Sequence, residues 1–217
     1  MRKLVNARVT KIQIVPNVTP AFRKYLDIPE DHNAIGFISS DYEEILYLAM
    51  DEASKRTKIK AIYANSAHCG RMNPWADSRG ESLCMMTGPK IEDVRSGMRY
   101  AKDFVERKSQ YYIFDDDPKQ YCYAHLIPKA GAYYQSLYGI PEGSAVAHLA
   151  TSPVESTFAI DQALKAGNTK IAYFYEIPTK TNHGGAILYG EEAACKSSLE
   201  AFVNAVEYCY NNPMGLE

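Results

Sequence analysis

The sequence of 217 residues contains no apolar run long enough to cross a bilayer. The segment that follows Met1, Arg2 and Lys3 also lacks the apolar stretch of a signal peptide. Lysine and arginine number 24 against 26 aspartates and glutamates, which gives a formal net charge of −2. Since nucleic-acid binding needs basic surface, no nucleic-acid partner is expected. We therefore expect a soluble cytoplasmic protein that binds neither membrane nor nucleic acid.

Cysteine is scarce and scattered, with five residues and no CxxC pair. An odd number without paired spacing argues against a disulfide framework and against a zinc knuckle. His125, His148 and His183 have no serine or cysteine partner in a recognisable motif, and no phosphate-binding or dinucleotide-binding glycine loop is present. We therefore predict neither a metal site nor an enzyme.

The chain instead contains an internal repeat. A Val-Pro or Ile-Pro pair ending at Pro16 recurs at Pro128, and an Ile-Pro-Glu phrase with Pro29 recurs with Pro141, both at an offset of 112 residues. Further along, Asp51 corresponds to Asp161, so the offset has changed to 110. Two copies of one structural unit are therefore predicted.

Each copy reads strand, helix, strand, helix, strand, strand, helix, which predicts two tandem α/β sandwiches. Apparent capping boxes at Ser40–Glu43 and Ser152–Glu155 mark a helix start in each half. The long final helices are predicted at about 91–106 and 191–208. The acidic run Asp115–Asp117 before Pro118 is interpreted as a solvated linker that breaks regular structure, and the domains are placed at 1–108 and 109–217.

The halves differ most between their third and fourth strands. There the first half has the long segment 64–80, whereas the second has only about 176–184. A loop longer than its connection requires is often functional, so this segment is a candidate for function.

Four segments carry a resemblance to a known family: GFISSDYEEILYLAMDEASKRTKIKAIYA, GESLCMMTGP, SPVESTFAIDQALK and TNHGGAILYGEEAACKSSLEAFVNAV. They resemble the tandem-domain bacterial microcompartment shell proteins of the EutL type, from ethanolamine-utilization organelles. The similarity runs in one register from about Val9 to Pro213 and includes the long first-half loop.

The resemblance implies two circularly permuted shell domains per chain, an α/β (α+β sandwich) fold, and three chains in a pseudo-hexameric trimer. Cyclic symmetry suits the repeat, since each half can supply alternate sixths of a tile. It further implies a structural role in the microcompartment shell within the cytoplasm, with edge-to-edge contacts to other shell proteins. No cofactor is required, ethanolamine is the expected ligand, and a contact with cobalamin is possible in such organelles.

Ethanolamine is implied to bind in a small pore between the halves of each chain. An ammonium alcohol needs carboxylates for its charge and a polar group for its hydroxyl. By position in the family, the candidate ligands are Asp41, Glu43, Glu81, Tyr111, Glu155 and Thr181. Without the resemblance, Glu43 and Glu155 would be read as helix caps, and the two roles are compatible.

A large central pore, gated by loops, is also implied. The residues assigned to the gate are His68, Arg71, Trp75, Asn182 and His183. A bulky ring and a charge can block a pore when they fold inward. The competing hypothesis is a small-molecule binding or regulatory module of tandem α/β type that forms no shell layer.

Overall fold

The computed structural model describes residues 2–67, 81–175, 179 and 182–214, with the side chains of 67, 81 and 118 left out. The strands are β1 (Arg2–Asn6), β2 (Val9–Val15), β3 (Ala34–Ser40), β4 (Lys60–Ala67), β5 (Glu81–Gly88), β6 (Gln110–Phe114), β7 (Asp117–Ile127), β8 (Ala145–Thr151), β9 (Lys170–Phe174) and β10 (Gly184–Gly190). The helices are α1 (Pro20–Tyr25), α2 (Glu43–Ser54), α3 (Ile91–Asp103), α4 (Ala132–Tyr138), α5 (Pro153–Ala166) and α6 (Glu192–Asn211), and a π-helical turn, Phe104–Lys108, extends α3.

The chain folds as two compact units. The N-terminal unit comprises Asn6–Ser109 and Gly131–Tyr133, and the C-terminal unit comprises the described parts of Met1–Val5, Gln110–Ala130 and Tyr134–Glu217. Three residues of the second repeat therefore belong to the N-terminal unit. The assignment of shell domains to 1–108 and 109–217 stays a prediction.

The repeat is visible in the sheet topology. The four-stranded sheet of the N-terminal unit has the order β2-β3-β5-β4, and the C-terminal sheet contains the same order as β7-β8-β10-β9. In the C-terminal sheet β1 and β6 extend the β7 edge to give six strands. The predicted α/β fold and the order of elements in each copy are confirmed.

Close helix packing explains the core of the N-terminal unit. Strand β3 is buried at every position except Phe37, and α3 lies against it through Val94 and Met98. A Cβ at Gly36 would lie 2.1 Å from Met98 Cε and 2.8 Å from Val94 Cγ1, so glycine lets the helix pack here without displacing these side chains. Helix α2 is buried on almost all sides, and its buried residues include the acidic Glu43, Glu44 and Asp51.

In the C-terminal unit the two faces of β8 have different surroundings. Ala145, Ala147 and Leu149 belong to the core cluster that includes residues of α5 and α6. On the opposite face His148 is buried, with Nδ1 2.9 Å from the hydroxyl of Tyr134 and Nε2 2.7 Å from that of Tyr175. Burial, aided by the nearby His125, lowers the pKa of His148 to about 3, so its ring is neutral. The hydroxyls of Tyr134 and Tyr175 thus supply hydrogen-bond partners for both ring nitrogens of the buried His148.

The two predicted capping boxes are not formed. Ser40 is the last residue of β3, pairs with Val9 and accepts from the amide of Tyr42, so α2 begins only at Glu43. Ser152 does occupy the N-cap position of α5, but its hydroxyl lies 3.0 Å from Tyr210 Oη and makes no cap hydrogen bond. Strand pairing and a tertiary contact therefore override the local signal in both halves.

The acidic junction forms a tight hairpin, so its interpretation as a linker is wrong. Asp115 and Asp116 lie between β6 and β7 with φ of 49° and 57°, and Phe114 pairs with Asp117 across the turn. Two consecutive residues with positive φ are the mark of a type I′ turn, which suits the twist of antiparallel strands. Aspartate tolerates this region better than most residues, so an acidic run serves here as a turn.

Among the residues that the structure describes, no helix combines the length and the apolar character needed to cross a membrane.

Candidate functional site

Asp41, a candidate ligand from the sequence, lies in the turn before α2 and already has a cationic partner. Its Oδ1 accepts from the backbone amide of Arg8 at 2.7 Å, and its Oδ2 lies 3.3 Å from Arg8 Nε. The Asp41 side chain is only 10% exposed, whereas that of Arg8 is 78% exposed. The carboxylate therefore anchors the N-terminal segment, and its charge is largely matched.

Glu43 and Glu44, the first two residues of α2, are both buried. Acidic residues are favourable at a helix N-terminus because of the helix dipole, but they usually face solvent there. Glu44 Oε2 has no hydrogen-bond partner among the described residues. A buried carboxylate oxygen without a donor is costly, and such a group is suited to meet a cation.

The surroundings of this acidic pair are poorly hydrated. Burial raises the pKa of Glu44 to about 7, and hydrogen bonds from its own backbone and from Glu43 offset part of that rise. Burial, with the charge of Glu43, also raises the pKa of Cys84 and of Tyr47, whose hydroxyl donates to Ser66 Oγ at 2.9 Å. A positively charged ligand beside Glu43 and Glu44 would favour their ionised forms.

In the C-terminal unit, Tyr111 is buried on β6 and Glu155 is half-buried in the first turn of α5. The charge of Glu155 contributes to the raised pKa of Cys209 and of Tyr210, for both of which burial is the largest cause. The Tyr210 hydroxyl donates to the carbonyl of Tyr121 at 3.1 Å. Glu155 thus lies where α5 begins and α6 ends, beside a polar network.

Asn182 and His183, assigned to the gate, precede β10. Asn182 is exposed with φ of 62°, and its amide donates to the Thr179 carbonyl. His183 is buried, with Nδ1 2.6 Å from the hydroxyl of Tyr121 and its ring edge-on to that ring. Asn182 therefore lies on the surface, whereas His183 is fixed to the sheet.

Four candidates, His68, Arg71, Trp75 and Thr181, lie outside the described residues, as does the side chain of Glu81. The backbone of Glu81 begins β5, where it pairs with Ala67 of β4. The structure places Asp41 and Glu43 within the N-terminal unit, and Tyr111, Glu155, Asn182 and His183 within the C-terminal unit.

Sequence reasoning missed Glu44. The expected cap at Ser40 placed Glu43 at the third position of the helix, where it would act as a capping residue. The apolar pattern of α2 contained the contrary signal, because apolar residues follow Glu44 on nearly every side of the helix. A helix buried all round buries its acidic first turn as well.

Comparison with known proteins places the chain in a family. No family model matches it. It is 34% identical over 212 residues to the bacterial microcompartment shell protein EutL of Clostridium perfringens, with 98% of each chain covered. It is 31% identical over 211 residues to EutL of Escherichia coli, with 97% of this chain and 96% of the relative covered.

Solved structures agree. The ethanolamine utilization protein EutL from Leptotrichia buccalis matches with a TM-score of 0.92 at 34% identity, over 98% of both chains. EutL from Clostridium perfringens matches with a TM-score of 0.93 at 33% identity, over 99% of this chain and 98% of that one. A trimeric bacterial microcompartment shell protein, PduB, shares the fold at 18% identity, with a TM-score of 0.76 over 94% of this chain and 89% of that one. Identity above 30% across nearly the whole chain shows that this protein belongs to the EutL family of bacterial microcompartment shell proteins, a structural family of the ethanolamine-utilization microcompartment and not a family of enzymes.

Proposed function

We propose that three copies of this chain form a pseudo-hexameric tile of the microcompartment shell. The observation that carries this proposal is the repeat of one strand order, β2-β3-β5-β4 and β7-β8-β10-β9, in a single chain. Three such chains supply six equivalent units, and cyclic symmetry closes them into a disc. Such discs would contact other shell proteins edge to edge and so build a layer.

Native mass spectrometry of the reduced protein tests the assembly. The expected species is three times 24.3 kDa, or about 73 kDa. Electron microscopy of overexpressing cells is expected to show ordered sheets. A monomer that persists at high concentration contradicts the tile. A trimer that forms no sheets, alone or with other shell proteins, favours the competing hypothesis of a non-tiling binding module.

The tile is proposed to bind ethanolamine in a small pore of each chain. The proposed ligand set consists of Asp41, Glu43, Glu81, Tyr111, Glu155 and Thr181, to which we add Glu44. Burial of Glu43 and Glu44 supports this, because a buried acidic pair gains most from an ammonium partner. Asp41 is expected to contribute least, since Arg8 already matches its charge.

Ethanolamine is further proposed to control a central pore. Its binding would favour the closed arrangement of the gate residues, which are His68, Arg71 and Trp75 in the segment 64–80 and Asn182 and His183 just before β10. Such control requires ethanolamine to bind the closed state more tightly than the open one. A cobalamin contact at this tile, with no role as a required cofactor, belongs to the same proposal.

Calorimetric titration with ethanolamine tests the ligand set. In the variant with Glu43→Gln and Glu81→Gln we expect at least a roughly tenfold loss of affinity, since a charge-assisted hydrogen bond contributes about 1.5–3 kcal/mol. Glu52→Gln is the matched control, because Glu52 lies on the same helix but binds Lys55 Nζ at 2.5 Å. The control should bind as the wild type does. Unchanged binding by the double variant would show that the ligand set is wrong.

A further inference from the structure

Helices α2 and α5 are equivalent in the repeat, and each contains an internal Asp–Lys ion pair at the same position. Asp51 Oδ2 lies 3.0 Å from Lys55 Nζ, and at an offset of 110 residues Asp161 pairs with Lys165 in the same way. The core-facing alanines also correspond, Ala49 with Ala159 and Ala53 with Ala163, and all four are fully buried. The two helices thus turn the same face to their sheets.

The outward faces of the two helices differ sharply in exposure. Asp51 is fully buried, whereas the Asp161 side chain is 56% exposed. Leu48 is buried, but its equivalent Phe158 is 42% exposed, and Val154, which corresponds to the buried Glu44, is 78% exposed. One face of α5 therefore remains exposed where the same face of α2 is covered. Apolar residues at equivalent positions predict that something covers α5 too.

Part of the cover of α2 comes from the second repeat. Gly131–Tyr133, between β7 and α4, belong to the N-terminal unit, and the Gly131 amide donates to Asp51 Oδ2 at 3.0 Å. Burial is the largest cause of the raised pKa of Tyr133, and the charges of Cys84 and then of Asp51 add to it. The segment 131–133 therefore contacts α2 through the carboxylate of Asp51. The equivalent carboxylate in α5 is that of Asp161.

In the first repeat the segment at the equivalent position is Thr19–Ala21, at an offset of 112 residues from Gly131–Tyr133. The equivalence is structural as well: Val18 donates to the Asn33 carbonyl and Ala130 to the Ser144 carbonyl, both at 3.0 Å. Helix α1, which follows Thr19, has no buried residue. Its rings of Phe22 and Tyr25 are exposed, so this copy of the segment offers an uncovered surface.

We propose that the exposed face of α5 binds the segment Thr19–Ala21 of a second copy of this chain, with Asp161 accepting a hydrogen bond from the partner's Thr19 amide. This rests on the proposed trimer and specifies its interface. The occupant is a second copy because the contact between Gly131 and Asp51 already shows which segment fits this helix face. The interface joins two different patches, so it is heterologous and can close into a ring.

The proposed contact between Thr19 and Asp161 must be less close than the contact between Gly131 and Asp51. A Cβ at Gly131 would come within 2.4 Å of Asp51 Oδ1 and 2.5 Å of Lys55 Cε, whereas Thr19 has a Cβ. Both atoms are at the ends of flexible side chains, and Asp161 and Lys165 are more than half exposed, so they can turn aside. A groove of about 540 Å³ beside Phe158, where that ring stacks on Tyr208, leaves room for apolar contacts next to the ion pair.

Cysteine cross-linking tests the interface. A chain with Thr19→Cys is mixed and reassembled with a chain that has Asp161→Cys, and the mixture is oxidised. We expect a covalent dimer from the mixture and a covalent trimer from the double variant, because a disulfide needs Cβ atoms about 3.8 Å apart. Asp116→Cys replaces Asp161→Cys in the matched control, since Asp116 is exposed in the turn between β6 and β7. The control should give no covalent species above its background.

Two further results separate this inference from the proposed trimer. If the wild type is trimeric by native mass spectrometry but the mixture does not cross-link, the interface is wrong and the trimer stands. If the wild type is monomeric, both fail. As a second variant, Phe158→Glu should lower the trimer fraction at least tenfold at fixed concentration while the circular dichroism spectrum stays native. A trimer unchanged by Phe158→Glu also overturns the interface.

Discussion

Replacement of Asp51 by alanine should lower the free energy of unfolding by about 3 kcal/mol, since removing one partner of a buried polar group leaves the others unsatisfied. Asp51 is fully buried and accepts from the Gly131 amide at 3.0 Å. Its loss would leave that amide without its acceptor and remove the ion pair with Lys55. Lys55 retains Glu52 as a second partner at 2.5 Å, so most of the loss should come from the amide and the cavity.

Urea denaturation at one fixed protein concentration measures this effect, because assembly would make the apparent stability depend on concentration. Asp103→Asn is the control, since Asp103 forms ion pairs with Lys108 and Arg107 at the surface. Exposed ion pairs contribute little, so the control should unfold as the wild type does. An Asp51→Ala chain as stable as the control would mean that segment 131–133 is not held by this carboxylate.

The fold could be predicted largely from the sequence because the sequence contains the same structural unit twice. Phrases such as Ile28-Pro29-Glu30 and Ile140-Pro141-Glu142 fixed the register, and the strand order then repeats in both sheets. Local signals failed where tertiary pairing competed with them. Ser40 matches a capping pattern, but its place at the end of β3 prevents that role. Asp115 and Asp116 match a linker, but strands on both sides make them a turn.

The family resemblance and the shell role are confirmed, whereas the site was only partly accessible to sequence reasoning. Glu43 was selected by resemblance, and the structure shows that it is buried. Glu44 was missed because burial of a helix on all sides depends on its neighbours in space, which spacing along the chain does not contain. The assignment of ligands and of the gate stays a prediction, since His68, Arg71, Trp75 and Thr181 lie outside the described residues.

Glu44→Gln should stabilise the protein at pH 8 but not at pH 4.5. Burial raises the pKa of Glu44 from 4.5 to about 7. Between these values the folded chain retains a proton that the unfolded chain has lost, so wild-type stability falls as pH rises through this window. Above pH 7 both states are ionised and the loss is complete. A shift of this size corresponds to roughly 3 kcal/mol, and a neutral amide avoids it.

Urea denaturation of the wild type and of Glu44→Gln at pH 4.5 and pH 8 measures this difference. Glu200→Gln is the control, since Glu200 is exposed on α6 and meets water in both states. The advantage of Glu44→Gln over the wild type should grow between the two pH values, while the control should show no such change. Added ethanolamine should reduce that advantage at pH 8, because a bound ammonium stabilises the ionised Glu44 of the wild type but not the amide. If the stability difference between Glu44→Gln and the wild type does not change with pH, Glu44 is hydrated in the folded protein. That result would remove the main physical support for an ammonium site at the start of α2.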